Sequence, residues 1–332
     1  ERLSTVGYVY WGRTAHDVRD KIHTFLSGGR GQLQGELEYY ALRDNEAFEN
    51  LREAFSTRSM HHPDADTLVS RIASGSVQQA DAPTPWFRDL ARRLKVAGIA
   101  VELRENQLAF QFANPEADAL RLAVPMQHPW LRERELKSIG AMGDHPVYQS
   151  VADANRKVER LLSTNAPESL TNKAITQLQQ SVQALFDNLI RHSDMRLYEN
   201  NFFSGRSVII AGGEFLIDQV GLPEEMAWDL FSPMVAHEMK GDAEAKKRSK
   251  KATGVLDKIM EQSWVLINRA PSFWFASFLA FHPVRIPGKA IRLHPLACPP
   301  LNADYDGDQC AVFLPITEAA QREAGERLSI AA

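Results

Sequence analysis

Three carboxylates crowd one short stretch of this 332-residue chain. In Asn302-Ala303-Asp304-Tyr305-Asp306-Gly307-Asp308-Gln309 the aspartates recur at i, i+2 and i+4. Like charges at that spacing repel, and without a counter-charge at least one carboxyl pKa rises. A divalent cation removes the conflict, and an all-oxygen ligand set selects a hard ion, Mg²⁺ or Ca²⁺. Gly307 lets the backbone turn so that the side chains converge. An EF-hand calcium loop does not fit: its sixth position is Gln309 instead of Gly and its twelfth is Pro315 instead of Glu. Two readings stay open, an acidic surface loop without a ligand and a catalytic magnesium site that holds phosphate oxygens. The apolar flanks, HPLACPPL before and CAVFLPI after, favour the second and predict a loop between buried strands.

Other residues invite chemistry less strongly. Lys246, Lys247, Arg248, Lys250 and Lys251 form the strongest basic run. It reads either as a solvated helix face or as a surface that neutralises phosphates. Gly28-Gly29-Arg30-Gly31 with Gly35 misses G-x-G-x-x-G because position 34 is Gln34, so it reads as a plain loop. His237-Glu238 opens like a zincin helix, but position 241 is Gly241 and no second His shares the face. His61, His62, Asp64 and Asp66 read as a solvated loop rather than a metal site. Cys298 and Cys310 are too few for a disulfide framework or a four-cysteine zinc ribbon, and they fit a reducing, cytoplasmic compartment.

The elements that must position these residues are written in the composition and periodicity. Hydrophobic residues make up 44% and charged residues 24%, the balance of a globular protein with room for about two domains. Lys+Arg 38 against Asp+Glu 42 leaves a net charge of -4, so any nucleic-acid surface must be local. No window approaches the ~20 uninterrupted apolar residues of a membrane helix. Gly7 to Trp11 reads as a short strand. Thr14 to Asp17 resembles a capping box, and Val18, Ile22 and Phe25 continue as a helix. A second helix is expected from about Leu37 to Phe55. Residues 73–85, rich in Ser, Gln and Pro, read as a linker. Trp86 to Val96 is helical in period; then Ile99, Val101, Leu103 and Leu108, Phe110, Phe112 alternate as a β-hairpin. Tyr148 to Leu162 and Asn172 to Ile190 predict two amphipathic helices. Beyond Ser204, short β-rich runs (SVIIA, EFLIDQV, PVRIP, AIRL, CAVFL) broken by Gly and Pro predict a small barrel with a helical insert from Pro223 to about Met260.

With those residues in hand, the sequence resembles the largest, β′-type subunit of multisubunit DNA-dependent RNA polymerases. That family's NADFDGD signature is NADYDGD here, at Asn302 to Asp308. Val265 to Ser272 is similar to the family's LLNRAPT, Ser204 to Ile209 matches SGRSVI, and Gly221-Leu222-Pro223 matches GLP. Pro287 to Leu296 resembles the strand leading into the metal loop, and Asn155–Leu162 and Leu178–Asn188 resemble helices that precede the barrel. The resemblance is strong over 204–323, fair over 148–188 and faint or absent before about residue 120.

The resemblance implies a double-psi β-barrel that bears the aspartate loop; joined to the periodicities read above, the expected class is α+β, that barrel with a helical insert, preceded by a mainly helical region with a small β-hairpin. The expected organisation is an N-terminal helical region at 1–72, a linker at 73–85, a helix-plus-hairpin module at 86–147, a helical pair at 148–203 and the barrel at 204–332. It further implies that Asp304, Asp306 and Asp308 hold the catalytic Mg²⁺ and that Arg269 and Asn302 read the sugar hydroxyls of an incoming nucleotide. Arg206 would lie near the nucleic-acid backbone, where Lys246, Lys247 and Arg248 could add phosphate contacts. The implied reaction is nucleotidyl transfer: the RNA 3′-hydroxyl attacks the α-phosphate of a nucleoside triphosphate and pyrophosphate leaves. The implied partners are a β-type subunit, other polymerase subunits, DNA template and RNA, with no membrane, and the isolated chain is expected to be inactive.

Departures keep two further readings open. Aligned without gaps, Tyr198-Glu199-Asn200 stands where the family carries a basic GKR-type stretch, and a carboxylate there weakens a grip on phosphates. Ser272-Phe273-Trp274 replaces T-L-H after the NRAP motif, Tyr305 replaces Phe, and Gln309-Cys310 replaces Gln-Met. The family's bridge helix and trigger loop would lie downstream of this chain. The alternatives are a non-catalytic β′-like module that binds polymerase or nucleic acid, and a metal-dependent phosphohydrolase that shares the loop.

Overall fold

The computed structural model describes residues 6–8, 18–26, 31–62, 64–75, 77, 85–104, 107–112, 119–129, 136–140, 145–191, 194, 197–241 and 247–331. Of the strand expected at Gly7–Trp11, Gly7 and Tyr8 are not in a strand and the rest lies outside these residues, as do the capping box at Thr14–Asp17 and the glycines at 28 and 29. The chain divides into two units, Glu1–Asp81 with Leu197–Ala332, and Ala82–Arg196.

The first unit opens with α1 (Val18–Lys21), β1 (His23–Phe25), β2 (Gln32–Gln34), α2 (Glu36–Asp44), α3 (Phe48–Phe55) and α4 (Leu68–Ala73). The second contains α5 (Pro85–Val96), a hairpin of β3 (Ile99–Arg104) and β4 (Gln107–Phe112), a bulged pair β5 (Leu120–Met126) and β6 (Leu136–Ile139), then α6 (Pro146–Ser163) and α7 (Glu168–Asp187). Its core is the apolar stripe expected from the sequence: Val151 and Val158 of α6 meet Leu178, Val182 and Leu185 of α7, with Met126, Leu136 and Ile139 packed on them. Two buried polar groups fix this unit. Asn155 accepts Ala123 N–H at 2.8 Å and donates to the Arg121 carbonyl at 2.9 Å. Arg93 grips Asp194 through two bonds of 2.6 and 2.8 Å.

The chain re-enters the first unit with β7 (Glu199–Asn201), β8 (Ser204–Ala211), β9 (Gln219–Pro223), α8 (Glu224–Glu238) and α9 (Lys250–Glu261). It closes with β10 (Val265–Asn268), β11 (Phe278–Ile286), β12 (Ile291–Leu293), α10 (Cys298–Leu301), β13 (Gln309–Phe313) and α11 (Glu318–Arg327). Strands β8, β12, β9, β11, β10 and β13 pair in that order, and β13 returns to β8, so the sheet closes on itself. The β8–β12 and β9–β11 pairs are parallel and the rest antiparallel. This closed, mixed six-stranded barrel with a helical insert is the double-psi β-barrel fold the sequence led us to expect.

The period of two explains how the barrel is buried on both faces. Val265 and Ile267 point into the main core with Ile209, Phe281, Cys310 and Val312, backed by Leu230 and Phe231 of α8 and Leu256 of α9. Leu266, Phe278 and Phe313 point the other way, into a second cluster with Leu42, Leu51 and Leu328. All four residues of β10 are therefore buried. Among the described residues no helix is long and apolar enough to cross a membrane.

Four local expectations are corrected. The helix through Phe25 ends at Lys21, and Phe25 sits in β1 because the edge of β8 offers it a ladder, Phe25 opposite Ser204 and His23 opposite Arg206. A tertiary pairing outweighs a short helical period here. The helix from Leu37 to Phe55 is two helices, broken where Glu46 adopts a left-handed φ of 56°. Within EFLIDQV only Gln219 onward is strand. The HPLACPPL flank forms a 3₁₀ turn and α10 in place of a strand, since Pro295, Pro299 and Pro300 suit the first turn of a helix and cannot donate to a ladder.

Candidate metal centre

The aspartate loop therefore runs from a helical turn into β13. Asn302 ends α10 in the left-handed region, φ 48°, a conformation Asn tolerates better than most residues. Gly307 has φ 124°, which a side chain would strain. Two bonds fasten the loop to the barrel: Ile209 N–H donates to the Asp308 carbonyl at 2.9 Å, and the Tyr305 hydroxyl donates to the Leu293 carbonyl at 2.7 Å. The Tyr305 change from Phe thus adds an anchor. Within the loop, Asp306 N–H reaches Asp304 Oδ1 at 3.3 Å and Asp304 N–H reaches Asp308 Oδ2 at 3.1 Å.

One carboxylate oxygen from each of Asp304, Asp306 and Asp308 lies within 4.8 Å of the other two. Oxygens around an octahedral Mg²⁺ at ~2.1 Å are at most about 4.2 Å apart, and around Ca²⁺ about 5 Å. The donor set is all oxygen, and the upper limit on its spacing is near the span that the ligands of Ca²⁺ or Mg²⁺ occupy. The residues present fit a hard divalent cation.

Charge is unevenly shared. Asp304 hydrogen-bonds and repels Asp306, and with the nearby Asp308 raises the Asp306 pKa above the ordinary carboxylate value. For Asp308, burial pushes upward, but the Arg269 hydrogen bond, the Asp304 N–H and the Arg269 charge together outweigh it and lower the pKa. Arg269, just past the end of β10, donates from Nε at 2.9 Å and from Nη2 at 3.2 Å to the two Asp308 oxygens. One arginine thus answers three carboxylates, and the remaining negative charge suits a cation. Behind the loop, burial pushes the Cys310 thiol up to about 12.

The other residues singled out in the sequence are placed as follows. Asn302 is exposed at the entrance of the loop. Arg206 is exposed on β8, opposite Ala311 of β13 and His23 of β1. Gly205 beside it is needed for that pairing, because a Cβ there would meet His23 O at 2.9 Å. Lys246 lies outside the described residues, and Lys247 is exposed. Arg248 turns back onto α8, 5.5 Å from the Trp228 ring and 3.6 Å from Asp229. Glu199, in β7, meets His61 Nδ1 at 2.8 Å. Phe273 and Trp274 are exposed, and Trp274 Nε1–H donates to the Pro300 carbonyl at 2.9 Å. Sequence reasoning missed Glu38, whose carboxylate accepts the Ser272 hydroxyl at 2.8 Å, one residue beyond the NRAP motif. Its only sequence signal was a Glu three residues after Gly35, at capping spacing.

A closed mixed barrel that presents three aspartates beside an arginine defines a recognisable class, and residues 235–330 match the family described as RNA polymerase Rpb1, domain 2. Across most of its length the chain is similar to DNA-directed RNA polymerase subunit beta′. It is 33% identical to that of Idiomarina loihiensis over 89% of this chain, and 38% identical to that of Corynebacterium urealyticum over 93%. A third relative, from Treponema pallidum, is 37% identical over 53% of the chain. These matches make the chain a segment of β′ type. It spans 23% and 24% of the length of the first and second of these relatives and 15% of the third.

Proposed function

We propose that this chain is the metal-bearing core segment of a DNA-dependent RNA polymerase and contributes to nucleotidyl transfer. The observation that carries the reading is the convergence of Asp304, Asp306 and Asp308, with Arg269 fixed on the third. In the reaction the RNA 3′-oxygen forms a bond to the α-phosphorus, the bond from that phosphorus to the β-phosphate oxygen breaks, and pyrophosphate leaves. Asp304, Asp306 and Asp308 would hold a Mg²⁺, which when bound would supply acidification of the hydroxyl and stabilisation of the developing phosphoryl charge. Arg269 and Asn302 orient the nucleotide through its sugar hydroxyls. Arg206, on the neighbouring strand, contacts the nucleic-acid backbone, with Lys246, Lys247 and Arg248 as further phosphate contacts. The partners are a β-type subunit, which completes the phosphate-binding side, other polymerase subunits, template DNA, RNA and nucleoside triphosphates. The compartment is the cytoplasm.

One observation favours a second reading, a non-catalytic β′-like module. Glu199, a carboxylate where the family is basic, is fixed in the fold by a 2.8 Å contact with His61 Nδ1. Reconstitution decides between the two. Mixing the chain with a β-type subunit and a primed template should give RNA products that require Mg²⁺ and vanish with Asp306→Asn. Stable assembly without synthesis rejects the catalytic reading.

A further inference from the structure

Glu38 is a carboxylate with 9% of its surface exposed, and both of its oxygens are committed. Oε2 accepts the Gly35 N–H at 2.8 Å and Oε1 accepts the Ser272 hydroxyl at 2.8 Å. A hydroxyl has one proton to give. Ser272 gives it to Glu38 and accepts, on its lone pair, Asn268 Nδ2–H at 2.8 Å. The second Nδ2 proton of Asn268 goes to the Ser277 carbonyl at 2.8 Å. Asn268, Ser272 and Ser277 are each 3% exposed, so water does not compete and the direction of the chain is set by the acceptor-only carboxylate at its end.

Between Asn268 and Ser272 lie only Arg269, Ala270 and Pro271. One end of the loop that carries Arg269 is therefore tied directly to a side chain contributed 234 positions earlier in the sequence, and the other end reaches it through Ser272. The tie matters because of what Arg269 does. Its guanidinium meets Asp308 in two bonds, a geometry that tolerates little misalignment. The arginine is a long side chain, 22% exposed, whose alignment depends on where its backbone is held.

We infer that Glu38 is a positioning residue of the candidate centre: through Ser272 and Asn268 it holds the Arg269 backbone so that the guanidinium stays aligned on Asp308 and on the nucleotide sugar. The sugar half of this statement rests on the nucleotidyl-transfer reading; the Asp308 half does not. It also gives the N-terminal helices a role at the site.

Two measurements test it. In the full chain alone, solvent exchange of the Arg269 Nε–H, followed by ¹⁵N spectra, reports the pair with Asp308. Glu38→Ala and Ser272→Ala speed that exchange roughly tenfold, the scale of one buried hydrogen bond. Ser272→Thr, which keeps the hydroxyl, restores the slow rate. A role in stability alone lowers the melting temperature and leaves the exchange slow in the folded chain, and that result overturns the inference. Ser272→Ala carries the test if Glu38→Ala does not fold. In a complex with a β-type subunit, Glu38→Ala raises the KM for a nucleoside triphosphate and erodes discrimination against its 2′-deoxy analogue, each by roughly tenfold, with a smaller change in kcat. An unchanged discrimination ratio overturns the sugar half. Absence of synthesis by the unaltered complex counts against the nucleotidyl-transfer reading, while the exchange measurement still decides whether Glu38 holds Arg269.

Discussion

Arg269 and Asp308 meet because two strand ends meet. The register that sets Asn268 of β10 opposite Ala311 of β13 brings the residue after one strand to the residue before the other, and the guanidinium closes on the carboxylate at 2.9 and 3.2 Å. The Arg269 charge favours ionised Asp306 and Asp308, so its removal has a definite sign.

For Arg269→Ala, the lowered Asp308 pKa sets the pH dependence. A carboxyl whose folded pKa is depressed contributes stability that is present above its unfolded value, ~3.9, and is lost as pH falls through the folded value. The two groups are each about one-fifth exposed, so the contribution is on the order of 1 kcal/mol. Urea unfolding should find Arg269→Ala less stable than the parent at pH 7, with the gap closing below the ordinary carboxylate range. A gap that persists in acid would show that packing, not charge, is what the arginine supplies.

Asp306→Asn should act in the opposite sense on the chain without metal. The Asp306 pKa is raised, so its charged form is disfavoured by folding; the penalty is absent at low pH and complete above the folded pKa. The substitution should raise the melting temperature slightly at pH 7 and leave it unchanged in acid. It should also weaken Mn²⁺ binding by about tenfold or more, measured by electron paramagnetic resonance of free Mn²⁺. Unaltered Mn²⁺ affinity would remove Asp306 from the ligand set.

Glu53→Ala should be among the most damaging single substitutions outside the loop. Glu53 is fully buried, receives Arg58 Nε at 2.6 Å, and accepts the Ile316 and Thr317 N–H groups and the Thr317 hydroxyl. Arg58, whose pKa burial lowers, would be left as an uncompensated charge, at a cost of about 3–5 kcal/mol. Chemical denaturation gives the value, and a loss below about 1 kcal/mol would mean that water reaches the pair.

Cys310 should be inert to thiol reagents at pH 8 in the folded chain, because it is buried and its pKa is pushed up to about 12. Cys298 is 8% exposed and should also react slowly. Both should be titrated at once in denaturant. Rapid modification of one thiol in the native state would place it at an opening of the barrel.

Much of the architecture was legible because burial repeats with the period of the backbone. The stripe Leu178, Val182, Leu185 meets α6 as expected, and the runs SVIIA, PVRIP, AIRL and CAVFL all contribute barrel strands. What stayed hidden was decided by distant neighbours. Nothing local to Phe25 announces β8, and nothing near HPLACPPL tells a buried strand from a buried helical turn except its prolines.

The sequence by itself determined that three carboxylates share one bend, since their spacing and the glycine between them are covalent facts. It also determined the arginine and the amide in their separate motifs, and through them the resemblance to β′ subunits. Only the tertiary structure decided which charge meets which. Arg269 and Asp308 are 39 residues apart and Glu38 and Ser272 are 234 apart. Contacts between such residues depend on barrel closure and strand register, which arise from the packing of the whole unit and leave no periodic mark at the residues themselves.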